Sequence, residues 1–525
     1  MRSAPAMNLG QLLTQAARRF PQRTGVVDGE RRFTWVEVNE RVDRLAQGLA
    51  DRGLAKGDRV MVQARNSHRM FELKWALFKL GAVWVPVNFR LAPAEAAFMA
   101  AHSGALAFAY DEEFRGHAQA ARVATPSLAL LLCLDGASVL ENAQSCEDVL
   151  GAAAQPLARE ATVAHDDPAW FFYTSGTTGR PKAAVLTHGQ LAFVAVSQLA
   201  DMFPGATEDD TSLVVAPLSH GAGVHALSFV ARGATQVFPA HSDPASLWAL
   251  VERHRVTNFF AVPTLVKTLV EHESVQRFDH GSLRFVNYGG APMFRADLRL
   301  ALQRLGPVLV QHYGLGEFTA AISVLPPLRQ ADNLQDADGS PVGSCGVART
   351  GTEIVILDAD GRMLPPGQDG EICARGPACF AGYHGDADAT ARAFAGGWFH
   401  TGDLGRLDAS GRLFITGRAS DMYITGGLNV HPREVEELLL EDPRVAEAAV
   451  VGVPHPRWGE SGVAVIVLRE GAQARDDELL ARLDGRLARF KRPARVLFWP
   501  QLPKSGYGKI LKREIVRQLA TEVLP

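Results

Sequence analysis

Cysteine is scarce in this chain: five in 525 residues, at positions 133, 146, 345, 373 and 379, and no two of them form a C-x-x-C pair. That spacing offers neither a disulfide framework nor a structural zinc site, and it suits a reducing, cytoplasmic setting. Charge of one sign is equally lacking. Lys and Arg number 54 against 57 Asp and Glu, a net charge of −3, so no basic field is present to hold a nucleic acid by its phosphates. No run of about 18 apolar residues occurs, which excludes a helical membrane span. The opening M-R-S-A-P-A-M-N-L-G has no apolar signal-peptide stretch. Internal repeats and low-complexity tracts are absent, and so is the G-x-x-x-x-G-K-[ST] loop of Walker-type nucleotide binders.

What is present is an ordinary globular composition, 47% hydrophobic and 21% charged, at a length that calls for two or more domains. Leu9, Leu12, Leu13, Ala16, Ala17 and Phe20 recur at helical spacing. Val26 to Gly29 and Arg32 to Thr34 read as a hairpin turning at Asp-Gly. Thr34 with Glu37 forms a capping box that opens a helix bearing Val38, Val42, Leu45, Ala46 and Leu49. Strand, helix, strand then alternate through Val60–Val62, Phe71–Leu80 and Val83–Val87. This rhythm predicts an α/β fold with large, layered and predominantly parallel sheets. From Ser420 the pattern changes. A strand at 422–424, a helix opened by Pro432 with Glu434, Glu436 and Glu437 in its first turns, strands at 446–453 and 463–468, and a helix near 477–487 predict a small α+β domain. The expected division is 1–419 and 420–525.

The strongest local signal is Y-T-S-G-T-T-G-R-P-K at residues 173–182, entered from apolar Trp170-Phe171-Phe172. Glycines let backbone N–H groups approach an anion, and hydroxyls and a lysine add donors and charge. A flexible linker shares this composition, but a linker rarely follows a buried strand and ends in Pro-Lys. Further along stand A-P-L-S-H-G-A-G at 216–223, Y-G-G-A-P at 288–292, Q-H-Y-G-L-G-E at 311–317, W-F-H-T-G-D at 398–403, Gly417-Arg418, G-G-L-N-V at 426–430 and P-K-S-G-Y-G-K at 503–509.

In content, order and spacing these segments resemble the motif series of the adenylate-forming superfamily, which includes acyl-CoA synthetases, peptide-synthetase adenylation domains and firefly luciferase. The resemblance covers nearly the whole chain and points to the acyl-CoA ligase branch. It implies that Thr174, Ser175, Gly176, Thr177, Thr178, Gly179 and Lys182 hold the β/γ-phosphates of ATP, and that Glu317 with Thr177 binds the magnesium they share. Tyr313 would stack on adenine, with Gly290, Ala291, Pro292, Gln311, His312, Gly314 and Asn429 lining the nucleotide site. Asp403 would accept from both ribose hydroxyls, a task suited to a carboxylate's paired acceptors, and Arg418 would add a donor. Lys509 would bridge the carboxylate and the α-phosphate, where two anions must meet and charge develops. His220, Gly223, Tyr288, Gly289 and Gly314 would line the acyl pocket, with His220 also placed catalytically beside the thiol entrance. Gly426 and Gly427 would let coenzyme A pass after the small domain rotates. Alone, Asp403 reads as a turn residue, Glu317 as a solvated charge and Lys509 as a surface lysine; their joint order is what assigns them.

Two positions depart from the family pattern. Gly316 replaces a threonine whose hydroxyl normally meets the α-phosphate, and Ser420 stands where the hinge usually has aspartate or lysine. With no carrier domain after Pro525, a free thiol such as coenzyme A is the expected acceptor. The residues 218–223 contain no acid to hold a substrate amine, which weighs against amino-acid activation, and nothing independent points to oxygen chemistry as in luciferase. The small residues Ala222 and Gly223 favour a medium- or long-chain fatty acid, with an aryl (benzoate- or cinnamate-like) acid as the alternative. A non-catalytic nucleotide-binding protein is the different-class alternative, and it would be expected to have lost Lys182 or Lys509. Assembly as a homodimer is left open.

Overall fold

The computed structural model describes residues 4–174, 181–334, 343–504 and 510–521. The predicted N-terminal elements form where their local signals place them. Helix Gly10–Arg19 buries Leu12, Leu13, Ala16 and Ala17. Strands Thr24–Asp28 and Arg31–Thr34 pair antiparallel, and helix Trp35–Ala50 carries both hydrogen bonds of the Thr34–Glu37 capping box. The capping residue satisfies N–H groups that the first helical turn leaves orphaned, so the helix start is determined locally.

Two large sheets dominate the described residues before 419. One has seven strands, with Lys182–Thr187 antiparallel at one edge beside Pro168–Thr174, and five further strands in parallel behind it. The other has thirteen strands. Its parallel part runs through Asn258–Ala261, Phe285–Tyr288 and Leu309–Tyr313. Beyond Leu309–Tyr313 every pairing is antiparallel, from Ser323–Leu325 to Glu353–Leu357. The expected α/β fold with large, layered and predominantly parallel sheets is borne out, with an antiparallel region continuing the second sheet. Short hairpins such as Phe399–Leu407 with Arg412–Arg418 cannot pair in parallel, because a parallel connection needs a crossover of a dozen residues or more.

The later residues build a separate five-stranded sheet from Tyr423–Thr425, Leu428–Val430, Val445–His455, Gly459–Leu468 and Arg495–Phe498. Helix Pro432–Leu440 packs on it through Val435, Leu438 and Leu439. The helix expected near 477–487 is shorter, Asp476–Ala481. The architecture is a large α/β domain and a small α+β domain. Polar bonds link them, including Lys267 to the Ala446 carbonyl (3.0 Å), Arg433 to the Ile415 carbonyl (2.7 Å) and the Arg469–Glu271 ion pair (2.9 Å).

Candidate active site

The C-terminal ends of parallel strands are where α/β sheets collect ligands, since the loops there are free of the sheet. Strand Pro168–Thr174 ends at Thr174, and strand Leu309–Tyr313 leads through a short loop to Glu317. The Thr174 hydroxyl donates to Glu317 Oε1 at 3.0 Å, and the Tyr383 hydroxyl donates to the same oxygen at 2.9 Å. Glu317 is buried, so these two hydroxyls replace water that its carboxylate would otherwise hold. Burial, then the adjacent Glu317 charge, push the Tyr383 phenol well above its ordinary value. Lys182 lies 5.1 Å from the centre of the Tyr383 ring and 3.9 Å from Asp386. Ser175, Gly176, Thr177, Thr178, Gly179 and Lys509 lie outside the described residues.

Gly316 has a steric reason to be glycine. A Cβ there would sit 2.6 Å from both the Phe172 ring and Thr174 Cγ2. Phe172 occupies the space beside residue 316, and the threonine of the family pattern would collide with it.

A second cluster joins Tyr313, Asp403 and Arg418. Strands Phe399–Leu407 and Arg412–Arg418 pair Asp403 with Arg418 across the ladder, and Arg418 Nε lies 2.9 Å from Asp403 Oδ1. The Tyr313 hydroxyl donates to Asp403 Oδ2 at 2.7 Å. Asp403 is buried, and its charge is the main reason that the Arg418 guanidinium is held above its usual range. Burial, followed by the Asp403 charge, pushes the Tyr313 phenol upward.

In the region expected to hold the acid, His220 caps helix Gly221–Arg232 without a side-chain cap bond. Its Nδ1 lies 2.9 Å from Ser219 Oγ, and its ring stands edge-on to Phe172, with centres 4.9 Å apart. Burial pushes this imidazole down to about 3, so it is neutral. Three expectations for this region need correcting. Gly223 opens no channel: a Cβ on it would lie 2.0 Å from the Leu218 carbonyl oxygen and 2.9 Å from Trp170. Tyr288 points to the opposite face of its strand, into a core with Val286, Val266 and Leu298, and donates to Gln330 (2.8 Å). His312 does not share a face with Gln311, because strand side chains alternate. Its ring packs over Gly289, His225 and Phe260 instead. Gly314 is packed against the backbone of residues 318–320. Gly290 has a left-handed φ of 78°, and Ala291 and Pro292 follow it at the surface.

Phe172, His225, Phe260 and Asn287 were missed from sequence. Two signals could have found them: His225 lies four residues after Gly221 on one helix face, and Phe260 and Asn287 lie near the C-terminal ends of parallel strands. In the small domain, Gly426 (φ 57°) and Gly427 (φ 80°) form the two-residue turn between Thr425 and Leu428. Positive φ at both positions is what a type I′ hairpin turn requires. The Gly426 N–H donates to the Trp458 carbonyl at 2.9 Å. Asn429 is exposed on the following strand. Ser420 is exposed, and its hydroxyl lies 3.1 Å from Asp421 Oδ1.

The chain is similar to known proteins over nearly its whole length. The family model described as "AMP-binding enzyme" matches residues 13–384, and that described as "AMP-binding enzyme C-terminal domain" matches 434–509. A feruloyl-CoA synthase of Amycolatopsis sp. is 38% identical over 512 residues, covering 97% of this chain and 99% of the relative. An indoleacetate–CoA ligase of Aromatoleum aromaticum is 33% identical over 515 residues, 98% of each chain. The long-chain-fatty-acid–CoA ligase FadD13 of Mycobacterium tuberculosis is 32% identical over 519 residues, covering 98% and 99%. The crystal structure of ATP-bound MatB from Rhodopseudomonas palustris superposes with a TM-score of 0.87 at 29% identity, covering 98% and 99%. The family models and the relatives together define an AMP-forming acid–thiol ligase that uses ATP and coenzyme A on a small carboxylic acid. The chain belongs to the AMP-binding enzyme family. No helix among the described residues is long and apolar enough to cross a membrane.

Proposed function

We propose that the chain activates an aryl carboxylic acid as its acyl-adenylate and transfers the acyl group to coenzyme A. The observation that carries the aryl reading is two groups of rings on either side of the start of helix Gly221–Arg232: Phe172 against Trp170 and His220, and Phe260, His225 and His312 against one another, with centres 4.9–5.9 Å apart within each group. Flat rings pack well against such walls by edge and face contacts. Two relatives are named for acids of this kind, ferulate and indoleacetate. The fatty-acid expectation rested on the small residues 222–223, and the space beside Gly223 is already filled.

In this reading the 173–182 segment holds the β/γ-phosphates, with Lys182 supplying charge. Asp403 accepts from the ribose hydroxyls, positioned by Arg418 and Tyr313, while the Tyr313 ring stacks on adenine. Glu317, backed by Thr174, fits magnesium because the ion takes carboxylate and hydroxyl oxygens. Bound there, the ion would neutralise charge on the phosphates. Lys509 stabilises the charge that develops as the acid's carboxylate attacks the α-phosphate and pyrophosphate leaves. The 420–525 unit then turns about Ser420, bringing the Gly426-Gly427 turn to the thiol channel.

The test is pyrophosphate release with benzoic, cinnamic, indoleacetic, decanoic and hexadecanoic acids, each with and without coenzyme A. The reading expects at least one aryl acid to exceed both fatty acids in kcat/KM. A preference for the fatty acids overturns it, and ADP in place of AMP overturns the adenylate mechanism.

A further inference from the structure

The second group of rings holds polar atoms that have no hydrogen-bond partner among the described residues. Phe260, Asn287 and Val310 are in register on adjacent parallel strands, so their side chains share one sheet face. His312, two residues beyond Val310, shares that face, and helix Gly221–Arg232 lies against it. A Cβ on Gly221 would meet the Phe260 ring at 2.4 Å. One turn deeper, the His225 ring lies 5.0 Å from Phe260 and 5.1 Å from His312, centre to centre. Asn287, His225 and His312 are 1%, 4% and 7% exposed. Both ring nitrogens of His225, Nδ1 of His312 and Oδ1 of Asn287 are buried without a hydrogen-bond partner among the described residues.

Unpaired buried polar atoms cost free energy individually and are uncommon in native proteins. Four of them on three residues gathered at one sheet face, beside the Phe260 ring, mark a place where something else supplies the bonds. We propose that His225, His312 and Asn287 form the far end of the acid pocket and select an aryl acid carrying a hydroxyl on the ring, remote from its carboxylate. This proposal rests on the aryl-acid reading and narrows it.

The chemistry favours a hydroxyl over a charged substituent. Burial pushes His312 down to about 3 and His225 well below the ordinary value, so each ring is neutral and offers one donor and one acceptor. A hydroxyl, itself donor and acceptor, can meet an imidazole on one side and the Asn287 oxygen on the other. The cation whose charge reaches these rings is Arg349, which disfavours an ammonium substituent. Arg349 is itself committed: it donates to Ser197 Oγ (2.7 Å) and to the Ala320 carbonyl, and lies 3.5 Å from Asp201. Its charge is thus already matched by one carboxylate, while its Nε has no hydrogen-bond partner among the described residues. Sites built to hydrogen-bond a substrate hydroxyl discriminate strongly against the analogue lacking it, because the site's own groups are then left unpaired.

The experiment compares kcat/KM for matched pairs, cinnamic against 4-hydroxycinnamic acid and benzoic against 4-hydroxybenzoic acid, with decanoic acid as a further arm. The wild-type protein should prefer the hydroxylated member of at least one pair by about tenfold or more. His225→Phe and His312→Phe should each bring that ratio towards one, and His225→Gln should retain part of it. Equal use of both members by the wild-type protein overturns the proposal without any variant having to fold. A ratio that survives in His225→Phe overturns it as well. If decanoic acid is used and no aryl acid is, the aryl reading itself has failed, and this proposal with it.

Discussion

Thr174 and Glu317 are 143 residues apart in sequence, and the threonine hydroxyl donates to the glutamate carboxylate at 3.0 Å. The bond ties the end of the seven-stranded sheet to the loop that leaves the thirteen-stranded one, and it holds a buried anion where the phosphates of ATP are proposed to lie. Glu317→Gln keeps the size and one acceptor but removes the charge. It should lower kcat by roughly 10²–10³-fold, the usual cost of losing one preorganised charge-stabilising group. The magnesium concentration needed for half-maximal rate should rise at the same time. Steady-state assays over a magnesium series check both, and an unchanged magnesium requirement removes the metal assignment.

Gly316 and Phe172 form a coupled pair. Gly316→Thr restores the residue usual in the family but drives its Cβ into the Phe172 ring, 2.6 Å away. The single variant should lose about 1–3 kcal/mol of stability by overpacking. Phe172→Leu in the same chain should recover most of that loss, a non-additivity that a double-mutant cycle in denaturant unfolding reads directly. Additive effects would show that the two side chains do not share this space.

His188 predicts a pH dependence. Its ring is fully buried, Nδ1 accepts from the Leu9 N–H at 3.2 Å, and burial pushes its pKa down to about 4. The folded protein therefore holds it neutral, while the unfolded chain binds a proton below about 6.5. Stability from this group is fully present above pH 6.5, falls as the pH drops towards about 4, and changes no further below that. The loss amounts to roughly 3 kcal/mol at most. His188→Phe should flatten the stability–pH curve across that window, whatever constant offset the substitution adds. Urea unfolding at pH 4.5, 5.5, 6.5 and 7.5 measures the slope.

Lys509→Ala should cripple adenylation selectively, by a few hundredfold, equivalent to about 3–4 kcal/mol of transition-state stabilisation. ATP affinity should change little, since the proposed nucleotide site is built from the large domain. Supplied with pre-formed acyl-adenylate and coenzyme A, the variant should make thioester near the wild-type rate. Equal slowness from acyl-adenylate would place Lys509 in both half-reactions and contradict rotation of the small domain.

The Gly426-Gly427 turn separates shape from passage. Gly427→Asn tolerates a positive φ and should keep the hairpin, whereas Gly427→Trp adds bulk where no atom lies within 4 Å. The tryptophan variant should accumulate acyl-adenylate without thioester in single-turnover assays, and the asparagine variant should not. If both lose both half-reactions, the turn serves folding alone.

What the sequence by itself determined is whatever depends on neighbours along the chain or on motif order. The Thr34–Glu37 capping box and the helix opened by Pro432 form at the predicted residues, and the hairpin forms with its turn one residue past Asp-Gly, at Gly29-Glu30, because these hydrogen bonds close within a few residues. The family, too, was legible from the motifs in order. Only the tertiary structure decided what lies across elements. Tyr288 and His312 were assigned from motif membership, but alternation along each strand and the packing of helix Gly221–Arg232 set which way they face. Gly316 looked like a lost hydroxyl until Phe172, from another sheet, was seen to fill its place. Gly223 looked like room for an alkyl chain, and the Leu218 carbonyl occupies it. In each case the deciding atom comes from another turn or strand, and its position follows from how sheets and helices pack, which no local pattern encodes.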